Sequence, residues 1–420
     1  MCQKVAILDF VHTASFFWRS RRHTPFVLRV TSPIATMNNT TAEAGTHLFE
    51  RYASISDLIQ EFAPAGVRAE RIVPPLWYVI GFLGNPVSAI IWFGRRMRRN
   101  NSSAVYLGSL AVSDLVFLFL HLLYNLHVAW GYDVYNQYGG CEAFMFFFYL
   151  PQYLSVVLVA AFTIERYVAV CHPFLKEKWC TVRRAYGVVL LCAVLSACLS
   201  SAQTYIWTFY PQINVCNTRA EAAAGGHGSF WSVWTWVVDM TMFAFLPLVV
   251  LVFNVLVLSE IIRLSRNGVI TRQQSRSGGT SNTASTLTLL SVSFFLVLTQ
   301  LTATVVSNLQ LAFPTGRQVL SDDEVRADPT WSRFFTYLDA RKIVEALCLS
   351  HYACYFLVYC LTGKHFRREV VYLLTCHGRL QCLDRVLAKA HKGERYSMVS
   401  SNGHTLATDA GTSTAFTTSM

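Results

Sequence analysis

The chain has 420 residues, of which only 14% are charged while 53% are hydrophobic, and its formal net charge is +11. An ordinary soluble protein is about 25% charged, so the composition excludes a disordered chain. It also excludes a nucleic-acid-binding one, because the positive charge falls in short segments between long apolar runs.

In chain order, residues 1–71 read as an extracellular tail. Asp9 and His12 interrupt the one run apolar enough for a signal sequence, and Met37 offers a second start site just before the overlapping glycosylation sequons at Asn38 and Asn39. A bilayer core of about 30 Å takes roughly 20 apolar residues per helix. Seven such runs follow, at Ile72 to Phe93, Ala104 to His127, Ala143 to Val170, Tyr186 to Trp207, Trp231 to Ile262, Thr286 to Phe313 and Ile343 to Leu361. The fold class is therefore an all-α membrane protein, a seven-transmembrane helix bundle over residues 72–361. Residues 362–378 form a short amphipathic helix on the membrane surface, and 379–420 a disordered cytoplasmic tail.

Loop charge sets the orientation, since short cytoplasmic loops retain Lys and Arg. Arg95, Arg96, Arg98 and Arg99 fill the first loop, Lys176, Lys178, Arg183 and Arg184 the third, and Arg263, Arg266, Arg272 and Arg276 the fifth. The second loop has Asp133 and no basic residue. The N-terminus is thus outside and the C-terminus inside, in a multi-pass protein of the plasma membrane. Cys141, at the outer mouth of the third span, and Cys216, in the loop after the fourth, share an oxidising compartment. A disulfide between them would pin that loop over the bundle.

Ionisable and polar groups inside a span are costly unless they face the bundle interior, so each marks a candidate site. Asp114 lies deepest, and Asn85 and Ser155 fall at similar depth. The three either line an oxygen pocket for a cation or tie three helices together. At the inner end of the third span stands Glu165-Arg166-Tyr167, followed by Cys171-His172-Pro173.

These residues carry a resemblance. With Leu83-Gly84-Asn85, Leu110-Ala111-Val112-Ser113-Asp114, Pro247 and Tyr359 in their respective spans, Trp130 in the first outer loop and Cys141 at the mouth of the third span, the chain resembles the rhodopsin-like G-protein-coupled receptors. His172-Pro173 with Trp179-Cys180, and Tyr355-Phe356 where the family has Asn-Pro, are similar to invertebrate neuropeptide receptors of the FMRFamide, myosuppressin and sex-peptide type. The resemblance implies that Glu165 holds Arg166 at rest. Activation then releases Arg166 as the sixth span swings out, and Tyr359 rotates inward to support the open state for a heterotrimeric G-protein. It implies a sodium pocket at Asp114, Asn85 and Ser155 and no other cofactor. It also implies a helix over Lys364 to Leu374 with Phe366, Val370 and Leu373 toward lipid, palmitoylation at Cys376, and arrestin-type partners on a phosphorylated tail. Two departures stand out. Tyr355 replaces an amide that helps hold sodium, and the sixth span has Leu298-Thr299-Gln300-Leu301 in place of Cys-Trp-x-Pro.

The ligand class is read from the outer half. Where amine receptors place an Asp in the third span, this chain has Phe148, beside Tyr149. Aromatic walls, two acids (Asp239 and Glu345) and polar His121, Tyr124, Asn125 and Gln152 suit a peptide end that bears a cation and a ring. Alternatively Asp239 is bridged to a neighbouring span and Glu345 to Arg341 or Lys342. Two other function classes compete: a receptor-like protein that couples weakly, and a transporter, for which no internal repeat is found. No enzymatic motif is present in the sequence.

Overall fold

The computed structural model describes residues 48, 51–52, 55–99, 101–211, 214–224, 226–266, 280–317 and 319–375. The sequons at Asn38 and Asn39, the start site at Met37, the lipidation candidate Cys376 and the tail 379–420 lie outside them. Among the described residues, seven helices are long and apolar enough to cross a membrane. They are Pro64–Phe93, Ser103–Trp130, Gly140–Cys171, Val182–Ile206, Phe230–Arg266, Thr280–Asn308 and Pro329–Thr362. The third packs against the second, fourth and fifth, and the first is flanked by the second and seventh.

Most ends fall within two turns of the apolar runs, but two do not. The first span starts well before Ile72, at Pro64, where the fixed φ of proline suits a helix start. The seventh starts at Pro329, capped by the Asp328 carboxylate accepting from the Thr330 and Trp331 amides. That is several turns outside Ile343, in a stretch whose Arg333, Arg341 and Lys342 read as loop. The seventh helix is interrupted at Leu349, between Pro329–Cys348 and Ser350–Thr362. The fifth is regular except for a wide π turn at Thr241–Phe245, where the Phe243 carbonyl accepts from the Thr304 hydroxyl of the sixth span at 2.8 Å.

Outside the bundle, a short helix at Ile55–Phe62, within the stretch read as tail, joins Leu48 in covering the outer extension of the seventh helix. Their apolar cluster holds Leu58, Ala63, Val325, Trp331, Phe334, Phe335 and Leu338, and the Phe62 and Phe335 rings stack at 4.9 Å. Arg51 and Tyr52 bond Asp322, and Arg326 pairs with Glu61. The neighbouring short helix Asp322–Ala327 carries a capping box in which Ser321 holds the Glu324 carboxyl below its usual range.

The loop after the fourth span is a hairpin, with β1 at Trp207–Tyr210 antiparallel to β2 at Val215–Thr218. Trp207 therefore opens a strand and does not end the fourth helix. Cys216 on β2 is disulfide-bonded to Cys141 in the first turn of the third span, with Cα atoms 5.6 Å apart. Asn214 turns the hairpin at φ 49, a left-handed conformation that Asn tolerates. Asn136 and Asp133 of the second loop bond Asn214 on its carbonyl and side-chain amide respectively.

After the seventh span a helix covers Lys364–Leu374; the chain divides into two compact units, Met1–Phe366 and Arg367–Met420. Phe366, expected toward lipid, is buried and packs on Trp92, Phe356 and Tyr359. At the very end of the bundle unit, this ring finds three other rings to cover it, which a lipid-facing position would not supply.

Close helix approach depends on small residues. A Cβ added at Gly84 would lie 2.7 Å from the Phe356 Cβ, too near the backbone of the seventh helix for a rotamer change to relieve. Gly84→Ala is expected to destabilise by about 1–3 kcal/mol, as overpacked cores do, and to lower the thermal midpoint of the purified protein. An unchanged midpoint would mean that the first and seventh helices part without cost.

Candidate functional site

The residues expected to contact ligand fall into three adjoining places. His121, Tyr124, Phe148 and Tyr149 join Phe117, Tyr153 and Tyr352 in an aromatic core between the spans. His121 Nδ1 lies 2.7 Å from the Tyr78 hydroxyl, and the Tyr124 and Phe148 rings are 5.1 Å apart. Asn125 is drawn away, donating to the Glu70 carbonyl at 3.2 Å.

Gln152 and Glu345 meet Gln300, His351 and Tyr352 around a small cavity of about 10 Å3, enough for a single water. Glu345 is 1% exposed and accepts from Arg341 Nε at 2.9 Å and from the Ser307 hydroxyl at 2.9 Å. Arg341 also donates to Gln310, and Lys342 pairs with buried Glu70 of the first span at 2.6 Å. These two buried cations of the seventh helix are therefore each matched by a carboxylate inside the bundle.

Asp239 differs. It is 6% exposed, and Tyr153 of the third span donates its hydroxyl to it at 3.2 Å. Among the described residues no Lys, Arg or His nitrogen approaches it within 4.0 Å. The Tyr153 ring packs on Tyr149 at 5.8 Å and on Phe243 in the π turn at 5.7 Å. Tyr149 and Tyr153, four residues apart, share one helix face.

Deeper in the bundle, Ser155 donates to Asp114 Oδ1 at 2.7 Å and to Ser113 at 3.0 Å. Asn85 is tied instead to the seventh span, donating to the Tyr352 carbonyl at 2.9 Å. Asp114 Oδ2, Asn85 Oδ1, Ser88 Oγ and the Tyr355 and Tyr359 hydroxyls are buried without a partner among the described residues. Such a set of oxygens is the donor chemistry a hard cation takes.

At the inner end, where Glu165 is expected to hold Arg166, both groups bond serines at the start of the second span. Ser102 donates to Glu165 at 2.5 Å, and Arg166 donates to Ser103. Two hydroxyls one residue apart reach both groups, which sequence spacing in the third span cannot reveal. Tyr167 packs edge-on against Phe253 of the fifth span at 5.1 Å. Tyr359 is fully buried, edge-on to Trp92 at 5.3 Å. Between the third, fifth and sixth spans, beside Arg166, Asn254 and Ser293, the free space is about 10 Å3.

Residues 85–338, more than half the chain, match the family model described as the 7 transmembrane receptor (rhodopsin family). The chain belongs to this family. Among similar members, the thyrotropin-releasing hormone receptor of Gallus gallus is 30% identical over 178 residues, 41% of this chain and 43% of that receptor. The neuromedin-U receptor 1 of Homo sapiens is 29% identical over 217 residues, 49% of each chain. The C-C chemokine receptor type 4 of Homo sapiens is 25% identical over 343 residues, 79% of this chain and 86% of that one. The match thus spans less than half the length of the hormone receptor. A rhodopsin-family receptor with this composition is a multi-pass membrane protein, and its cysteines at the third span and the hairpin are joined.

Proposed function

We propose that the chain is a plasma-membrane receptor for an extracellular peptide bearing a cationic group, with its N-terminus outside and its basic loops in the cytosol. Its similarity to receptors named for thyrotropin-releasing hormone and neuromedin U supports a peptide ligand. The observation that carries the chemistry is the contrast between the two acids. Glu345 is neutralised by Arg341, whereas Asp239 is a buried carboxylate to which a tyrosine hydroxyl donates. A buried charge is costly until a counter-charge arrives, so the ligand's cation pairs with Asp239 and its ring lies on the aromatic wall of Tyr149 and Tyr153.

Signal passes to a heterotrimeric G-protein at Arg166, Glu165, Tyr167 and Tyr359 when the sixth span moves outward and widens the small space beside Arg166. Phe174, 97% exposed on the helix that follows the third span, gives that partner an apolar anchor. Sodium at Asp114, Asn85 and Ser155 biases the closed state. Asn38 and Asn39 carry glycans, Cys376 a palmitoyl group, and the phosphorylated tail recruits arrestin-type partners.

The test is a screen of basic and neutral peptides on cells expressing the chain, read by calcium and cyclic AMP. For an activating peptide, Asp239→Asn is expected to weaken potency roughly tenfold to a hundredfold, the value of one charge-assisted bond. Surface expression should be unchanged. Equal potency at Asp239→Asn, or activation by peptides without a cation, would sink the proposal.

A further inference from the structure

Beside the small space at Arg166 lies a second, open cavity of about 290 Å3, between the inner ends of the first, second, third and sixth spans, the basic loops and the start of the last helix. A single water needs only about 10–15 Å3 of such space. Its walls carry Arg99, Arg166, Lys176, Lys364 and His365, while Glu165 is the one carboxylate among the described lining residues. That carboxylate is already engaged by Ser102. Two buried N–H donors of wall residues, Trp92 Nε1 and Arg166 Nε, have no acceptor among the described residues. The orientation rule explains why inner loops are basic. It does not explain why cations from two loops, a span and the start of the last helix converge on one hollow with a single acid among its described lining residues.

We infer that this cavity binds a polyphosphate anion, an inositol ring carrying several phosphates. A single phosphate would leave most of the space and most of the cations unused, whereas clustered phosphates match both. Lysine and arginine hold phosphate oxygens by charge-assisted bonds. The headgroup of an inner-leaflet phosphoinositide and a soluble inositol phosphate present the same chemistry. The lipid source rests on the orientation proposed above; the anion site itself does not.

The full chain, purified into phosphatidylcholine nanodiscs, is titrated with soluble inositol trisphosphate. Separately, discs containing phosphatidylinositol bisphosphate are compared with discs containing phosphatidylserine. Saturable binding of the soluble probe identifies a free ligand, and binding confined to the bisphosphate discs identifies the headgroup. Replacing Arg99, Lys176 and Lys364 together by Gln is expected to weaken binding by about tenfold, as the loss of three exposed charge pairs would. Added salt should weaken it further. All three side chains are exposed, so the thermal midpoint of the triple variant should match that of the parent. Three results overturn the inference: no saturable binding of either probe, equal response to phosphatidylserine, or undiminished affinity in the triple variant. No agonist or G-protein is present, so failure here leaves the receptor proposal standing.

Discussion

Glu345→Gln is expected to cost about 3–5 kcal/mol of stability, because it takes the carboxylate from a guanidinium that is itself fully buried. Arg341 is 0% and Glu345 1% exposed, and the pair sits one helical turn apart on the outer half of the seventh helix. The Ser307 hydroxyl and the Gln310 amide oxygen add bonds, but neither carries charge. A cation held in such a place without its anion bears the desolvation cost that the pair avoids. The measurement is the thermal midpoint of the purified receptor without ligand. The double variant Arg341→Met with Glu345→Leu removes both charges, and its midpoint should return to near the parental value or exceed it. A ligand contact at Glu345 would behave otherwise, with a normal midpoint and a shifted agonist response. If Glu345→Gln leaves the midpoint unmoved, the ion pair has no structural weight and Glu345 returns as a ligand candidate beside Asp239.

Cys141→Ser has the second large effect. The disulfide joins positions 75 residues apart, on the third span and β2, and chain-entropy arguments put such a crosslink at about 4–5 kcal/mol. The membrane already confines the third and fourth spans in the unfolded protein, so the gain here is smaller, about 2–3 kcal/mol. The hairpin is also held by Asn136 and Asp133, which bond Asn214. We therefore expect the bundle to fold and the hairpin to loosen, with agonist potency falling more than surface expression. Cys216→Ser and the double variant should give the same loss as Cys141→Ser. A double variant with parental potency would show that the asparagine contacts alone seat the hairpin.

How far the site could be read from sequence follows the reach of each signal. Asp114 with Ser155, and Asp239 with Glu345, stand out because polar residues in apolar runs are rare. Their partners do not stand out. Tyr153 is one aromatic among many in the third span, and Ser102 and Ser103 look like ordinary residues at a helix start. The sequence offered Glu345 either Arg341 or Lys342 as a partner, and packing decides: Arg341 meets Glu345, Lys342 meets Glu70 of the first span, and Asp239 meets only the Tyr153 hydroxyl among the described partners.

Seven spans were determined by the sequence itself, because length and apolarity are local and the bilayer reads them without reference to the rest of the chain. Loop charge carried the expected orientation for the same reason. The outer start of the seventh helix, by contrast, depended on tertiary structure. Arg341 and Lys342 read as loop until Glu345 lies a turn away and Glu70 arrives from the first span, 272 residues distant along the chain. Likewise Phe366 faces inward because Trp92 and Tyr359 offer it a pocket. A charge or a ring is placed by the partner that meets it, and distance along the chain does not say which partner that will be.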